Sequence, residues 1–218
     1  AGLEELAAGY QDFLSAFPIA DAGFYPLRFV CQYGELAEHL TGFRRSADNQ
    51  ALAYAELLPV ALIKDRSINW RHLVAPYLKL LLCCASGLPL TLYVLSRVGQ
   101  LVLQPIEKQQ AEQQLTQILQ LMQQGLSEPL ALEFSVGVEL VKQLEKGAAV
   151  DDKLRSKLER LYTGDDFNPG ALQRSPYLQR AFAQFEALWQ KGQLEKNASA
   201  LYGPLLAVSY TNSSEVSA

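Results

Sequence analysis

The chain has 218 residues and a hydrophobic fraction of 49%, enough for a full core without disulfides or metal. Its net charge of -4 argues against a free-standing nucleic-acid binder, which carries a basic balance. A module whose DNA path is completed by basic partners remains compatible with that charge.

Leu3, Leu6, Tyr10, Phe13, Leu14 and Phe17 fall at helical spacing, and Pro18 stops the segment. Gly23–Pro26 reads as a turn. A second helix is expected from about Phe29 to Phe43, with Val30, Tyr33, Leu36, Ala37 and Leu40 inward. Ser46–Asn49 reads as a loop. Two short strands follow, Leu52–Leu62 and Ser67–Leu73, joined by a turn at Lys64-Asp65-Arg66. The Ala-rich start of the first also suits a helix.

Val74–Ser86 is apolar almost all round, which marks a buried helix; Gly87 ends it and Pro89 lies beyond. Leu90–Leu95 and Gln100–Gln104 read as strands with a hairpin at Gly99. Strand, strand, buried helix, strand, strand implies an α/β (α+β) fold: a mixed sheet with a crossover helix. Glu107–Gln124 is a helix with Leu115, Ile118, Leu119 and Met122 on one stripe, capped by Gly125. Further helices are expected near Phe134–Glu145, Asp151–Tyr162, Pro176–Gln190 and Glu195–Val208. We expect a single domain over 1–208, with amino-terminal helices in 3–43, a core at about 52–125 and a helical part at about 130–208. The polar residues 209–218 read as a flexible tail.

Glu4, Glu5 and Asp12 occupy the stretch where a signal peptide would be basic and then apolar. The most apolar run, Leu78–Ala85, contains Lys79 and is far short of the ~20 residues that span a bilayer. Cys31, Cys83 and Cys84 form no disulfide framework, so a reduced, cytoplasmic protein is expected. Ala1 in place of Met suggests a processed chain or a fragment, and we favour the fragment.

Motif chemistry is sparse. The chain has 2 histidines, His39 and His72, far apart and outside any metal-binding pattern. His39 reads as a solvated helix residue. No phosphate-binding glycine motif is present. Cys83 and Cys84 sit in the apolar helix, where a thiol behaves as a small hydrophobe rather than a nucleophile. Arg44-Arg45 could touch a phosphate or a partner, although such a pair at a helix end more often complements the helix dipole. No cofactor and no metal site are expected.

Several segments, in order, resemble the carboxy-terminal domain of RecC, the gamma subunit of exodeoxyribonuclease V. They are Leu80-Leu-Leu-Cys-Cys-Ala-Ser-Gly87, Val102-Leu-Gln-Pro105 with Ala111 and Leu115, and Gly125-Leu-Ser-Glu-Pro-Leu130. Leu154–Gly164, Tyr177 with Phe182, and Leu201-Tyr-Gly-Pro-Leu-Leu206 continue the series. Each motif alone is weak; their order and spacing carry the likeness. The resemblance implies a core like that of the PD-(D/E)xK nucleases. It also implies partners, a helicase-nuclease (RecB-like) subunit and a helicase (RecD-like) subunit, with DNA bound in the context of the complex and no membrane. The implied function is a non-catalytic scaffold and DNA-guiding domain in double-strand break repair and homologous recombination.

Active nucleases of that fold hold Mg²⁺ with carboxylates on neighbouring strands and keep a Lys beside them. The matching stretches are Glu56-Leu-Leu-Pro59 and Asn69-Trp-Arg71. Pro59 and Asn69 stand where carboxylates belong, and Arg71 replaces the Lys and cannot act as a base. The implied site is degenerate. A rebuilt site using Glu56 and Asp65 is the enzyme alternative, a residual Mg²⁺-dependent nuclease; an unrelated α/β protein-interaction domain is the third reading. Arg71 and His72 are candidates for a structural ion pair or a DNA or partner contact, and Trp70 for a packed strand aromatic.

Overall fold

A computed structural model describes residues 2–212, which form two compact units: one ending at Thr116 and rejoined from Val208, the other spanning Gln117–Ala207. Among these residues no helix is long and apolar enough to cross a membrane.

The first unit opens with α1 (Gly2–Ala16) and the short β1 (Ile19–Ala20). An antiparallel hairpin follows, β2 (Tyr25–Cys31) and β3 (Gly34–Leu40), then β4 (Arg44–Arg45) and β5 (Leu52–Ala61). A miniature hairpin, β6 (Ile63–Lys64) and β7 (Ser67–Ile68), leads through a 3-10 turn at Trp70–Leu73 into α2 (Val74–Ala85). The strands β8 (Thr91–Val98) and β9 (Gln100–Leu103) precede α3 (Lys108–Ser127), and β10 (Tyr210–Asn212) returns at the end of the described chain.

The main sheet runs β1-β4-β5-β8-β9-β10. The β5 and β8 strands are parallel, with α2 as the crossover between them, while the other pairs are antiparallel. This is the mixed sheet expected from the alternation of apolar runs. Its buried helix is as apolar as its sequence demands: Leu80, Leu81 and Cys83 are fully enclosed. Alternation along β5 splits its side chains between two faces. Ala53 and Ala55 pack with Leu95 and Tyr93 under Phe13 of α1 and Phe17 just beyond its end. Tyr54 and Glu56 turn to the opposite face, where α2 lies.

The segment expected as a second helix, Phe29–Phe43, is instead the hairpin β2–β3. Leu27 and Phe29 are buried while Pro26, Arg28 and Val30 are exposed, a two-residue period. Val30, Ala37 and their helical companions therefore do not form an inward stripe. Cys31 pairs with Gly34 across a turn at Gln32-Tyr33, and Gly34 takes a φ of 148°. His39, expected on a helix, lies on β3 with its ring stacked on Phe24 at 5.0 Å.

Other boundaries shift for identifiable reasons. The strand expected over Ser67–Leu73 stops at Ile68, because Asn69 turns the chain into α2. In α3 the helix continues past Gly125 to Ser127, and Met122 is exposed rather than on the buried stripe with Leu115 and Leu119. Tyr210–Asn212, expected in the loose tail, pairs with Leu101–Leu103 as an edge strand; residues 213–218 lie outside the described residues.

The second unit is helical: α4 (Phe134–Glu145), α5 (Asp152–Thr163), α6 (Ala171–Arg174), α7 (Pro176–Ala181), α8 (Phe185–Trp189) and α9 (Gln193–Leu206). Side-chain caps start α4 and α5: Glu133 accepts from the Val136 N–H and Asp151 from the Leu154 N–H, each at 2.8 Å. The helix expected over Pro176–Gln190 breaks between α7 and α8. There Phe182 leaves the helical conformation and its carbonyl accepts the Tyr162 hydroxyl at 2.5 Å, so that Phe182 and Phe185 both enter the core.

Candidate functional site

The residues that the resemblance marks as a degenerate metal site lie between the end of β5 and the start of α2. Pro59 is exposed on β5 where the pairing with β8 changes register between Leu58 and Ala61. A proline, lacking an N–H, suits such an irregularity. Leu62 is fully buried, and its N–H donates to the Val98 carbonyl at 3.0 Å. Ser96, also fully buried, lies beneath: its Oγ accepts from the Leu62 and Val98 N–H groups, each at 3.2 Å, and sits 2.7 Å from the Val98 carbonyl oxygen. The miniature hairpin is thereby fixed to the β8–β9 turn. Asp65 and Arg66 form its tip with φ of 51° and 61°, so Asp65 serves the turn.

Asn69 comes next, exposed, donating its N–H to the Leu62 carbonyl at 2.8 Å and accepting from the His72 N–H at 3.0 Å. Asn69, Trp70 and Arg71 therefore do not lie on a strand beside Pro59. The neighbours of β5 are β4 and β8, and the 69–71 segment is the entrance to α2. Trp70 is buried edge-on against Tyr210 at 6.2 Å, a packed aromatic but not a strand one. Arg71 is exposed and His72 half-buried.

Glu56 is the carboxylate that could serve a rebuilt site, and it is engaged. It forms an ion pair with Lys79 of α2, with side-chain exposures of 25% and 23% respectively. The Lys79 ammonium also lies over the Tyr54 ring, 4.9 Å from its centroid. Burial opposes the charge on Lys79, but the hydrogen bond and attraction of Glu56 outweigh it and raise its pKa. Sequence reasoning noticed Lys79 only as an interruption of an apolar run. A lone cation in a buried helix was the signal that an anion had to face it.

The residues at 59, 69 and 71 do not fit a divalent cation. They supply no anionic oxygen, and Glu56 already faces a cation. Among the described residues no group of three or more His, Cys, Asp or Glu side chains could hold a metal ion.

The remaining candidates are structural in their contacts. Arg44 donates to the Phe17 and Pro18 carbonyls at 2.5 and 2.6 Å, complementing the carboxyl end of α1 rather than that of the expected second helix. Arg45 pairs with Asp21 at 2.6 Å and donates to the Tyr25 hydroxyl at 3.2 Å. Cys83 and Cys84 are buried, and burial raises both thiols, Cys83 to about 12. At neutral pH neither is a nucleophile.

A family model described as the RecC C-terminal domain matches residues 2–145. No curated protein matches the chain.

Proposed function

Because the chain belongs to the RecC C-terminal domain family, which ties it to the RecBCD complex, we propose that it is a non-catalytic, nuclease-shaped scaffold that guides DNA within that assembly. On this reading it acts in double-strand break repair and homologous recombination, with the RecB and RecD subunits as its protein partners. The carrying observation is the chemistry between β5 and α2. Where a nuclease of this shape would need two carboxylates and a lysine, the chain has Pro59, Asn69 and Arg71, and the nearby Glu56 is neutralised by Lys79.

A hard divalent ion is held chiefly by anionic oxygens, so two neutral side chains and a fixed cation remove the attraction. DNA contact is assigned to the assembled complex rather than to this chain alone, in keeping with its net charge of -4. Arg71 and His72, at the entrance to α2, are the proposed points of contact with a phosphate or a partner.

The test has two arms. The purified chain mixed with RecB and RecD should elute as a stable complex on size exclusion. The same chain titrated with Mg²⁺ or Mn²⁺ should leave single-stranded DNA intact. Folded protein that binds neither subunit, or cleavage that disappears in Glu56→Ala, would overturn the proposal.

A further inference from the structure

Between α5 and α6 the chain turns through Gly164-Asp-Asp-Phe-Asn-Pro-Gly170. The neck of this turn is drawn tight by its glycines: a Cβ on Gly170 would lie 2.3 Å from both the Gly164 nitrogen and the Tyr162 oxygen. Gly164, with a φ of 82°, bridges to Pro169. The tip is equally ordered. One carboxylate oxygen of Asp165 accepts from the Phe167 N–H at 3.0 Å and the Asn168 N–H at 2.8 Å, and the Asp165 N–H donates to the Asn168 carbonyl at 3.0 Å. At the base Arg174 donates to the Pro169 carbonyl and Gln173 to the Thr163 carbonyl.

On this fixed tip stands Phe167, 91% exposed. Scattered surface apolar residues need no explanation, but this one is a whole aromatic ring held in water by a braced loop. Its position is set before any partner arrives, so little conformational freedom is lost when it docks. A Phe side chain buries roughly 150–250 Å² when enclosed, the payload of an interface anchor.

The charges beside the ring choose the kind of partner. Asp165 and the exposed Asp166 precede it directly, while Arg174 is turned to the loop's base. The N–H groups of Phe167 and Asn168 hold the Asp165 carboxyl below its ordinary range, so it stays charged. Two carboxylates at the tip repel phosphate, which disfavours a nucleic acid or an anionic membrane and favours a surface of opposite sign.

We propose that Phe167 is the anchor by which the helical unit docks onto a partner protein, entering an apolar pocket rimmed by lysine or arginine side chains. The inference rests on the reading of the chain as a scaffold with RecB and RecD as its partners, and it adds the residue and the chemistry of the pocket. The segment carrying it lies beyond the residues matched by the family model.

The experiment measures binding of the 218-residue chain to purified RecB and RecD, with a single-stranded oligonucleotide as a separate arm. Phe167→Ala should weaken binding to one subunit by ~30-fold or more, the scale of a hot-spot truncation. Phe167→Tyr should restore most of it. Asp166→Lys should weaken it more at low salt than at high salt. Unaltered circular dichroism and thermal unfolding would confirm that the exposed substitutions leave the fold intact. If wild type and Phe167→Ala bind the subunits equally, the anchor is refuted while the scaffold reading stands. If wild type binds neither subunit, both fall. If Phe167→Ala loses only oligonucleotide affinity, the ring stacks on bases and the protein-docking inference is wrong.

Discussion

Replacing Lys79 with Met keeps a side chain of similar length on α2 and removes the charge that faces Glu56 and lies over the Tyr54 ring. The pair is about three-quarters buried, with side-chain exposures of 23% and 25%. Exposed pairs are worth ~0.2–1 kcal/mol, while removing one partner of a fully buried pair costs ~3–5 kcal/mol. An intermediate position gives a loss of about 2 kcal/mol for Lys79→Met, slightly less for Glu56→Gln, whose amide can still accept a hydrogen bond. The double variant should cost little more than either alone, a coupling of about 1.5 kcal/mol.

Urea unfolding in a Trp189→Phe background isolates the signal, since the chain has 2 tryptophans and Trp70 then reports the sheet-bearing unit alone. The raised pKa of Lys79 fixes the sign with pH. The pair's contribution is fully present below the ordinary lysine value of 10.5 and is lost as pH rises through the higher folded-state value. Additive single variants, with coupling below ~0.3 kcal/mol, would refute the reasoning. Lys79→Met also frees Glu56, and one freed carboxylate should still give no Mg²⁺-dependent cleavage.

Four further outcomes are expected. Acidification should destabilise the sheet-bearing unit through Asp21, whose carboxyl is held below its ordinary 3.8 by the Gly23 N–H, then by Tyr25 and Arg45. That stability is present above the ordinary value and is lost as pH falls through the depressed one, and Asp21→Asn should flatten this part of the acid limb. Native protein should react with a disulfide thiol reagent at Cys31 alone, because Cys83 and Cys84 are buried with raised pKa values; rapid release of more than one equivalent would contradict their packing. Tyr162→Phe removes a fully buried hydroxyl from the Phe182 carbonyl and should cost about 1–2 kcal/mol in the helical unit, read by Trp189 fluorescence. Gly170→Ala, which forces a methyl to within 2.3 Å of backbone atoms, should lower the melting temperature of that unit sharply, whereas Gly147→Ala, in open space at a φ of 75°, should cost only about 1 kcal/mol.

Much of the architecture is written in short-range pattern. The apolar faces of 74–86, the turn glycines at 87 and 99 and the breaks at Pro18 and Ser46–Asn49 each act within a few residues, and the structure follows them. The two crossover strands and their enclosed helix were legible for that reason. The same pattern misled at 29–43, where Val30, Tyr33, Leu36 and Leu40 satisfy a helical period while Leu27, Phe29 and Cys31 satisfy a strand period. The β-branched and aromatic residues around Gly34 favoured the pleated alternative, which buries Leu27 and Phe29 in the core.

The absence of carboxylates at 59 and 69 and of a lysine at 71 was likewise a fact of sequence alone, because it concerns what a side chain can donate and not where it sits. Tertiary structure decided what sequence separation hides. Glu56 meets Lys79 only because a parallel crossover returns α2 over β5, and Tyr210–Asn212 becomes a strand only because β9 offers an open edge more than a hundred residues upstream. Such pairings satisfy backbone groups and charges across space. No local periodicity encodes them, since their energy exists only once the sheet is built.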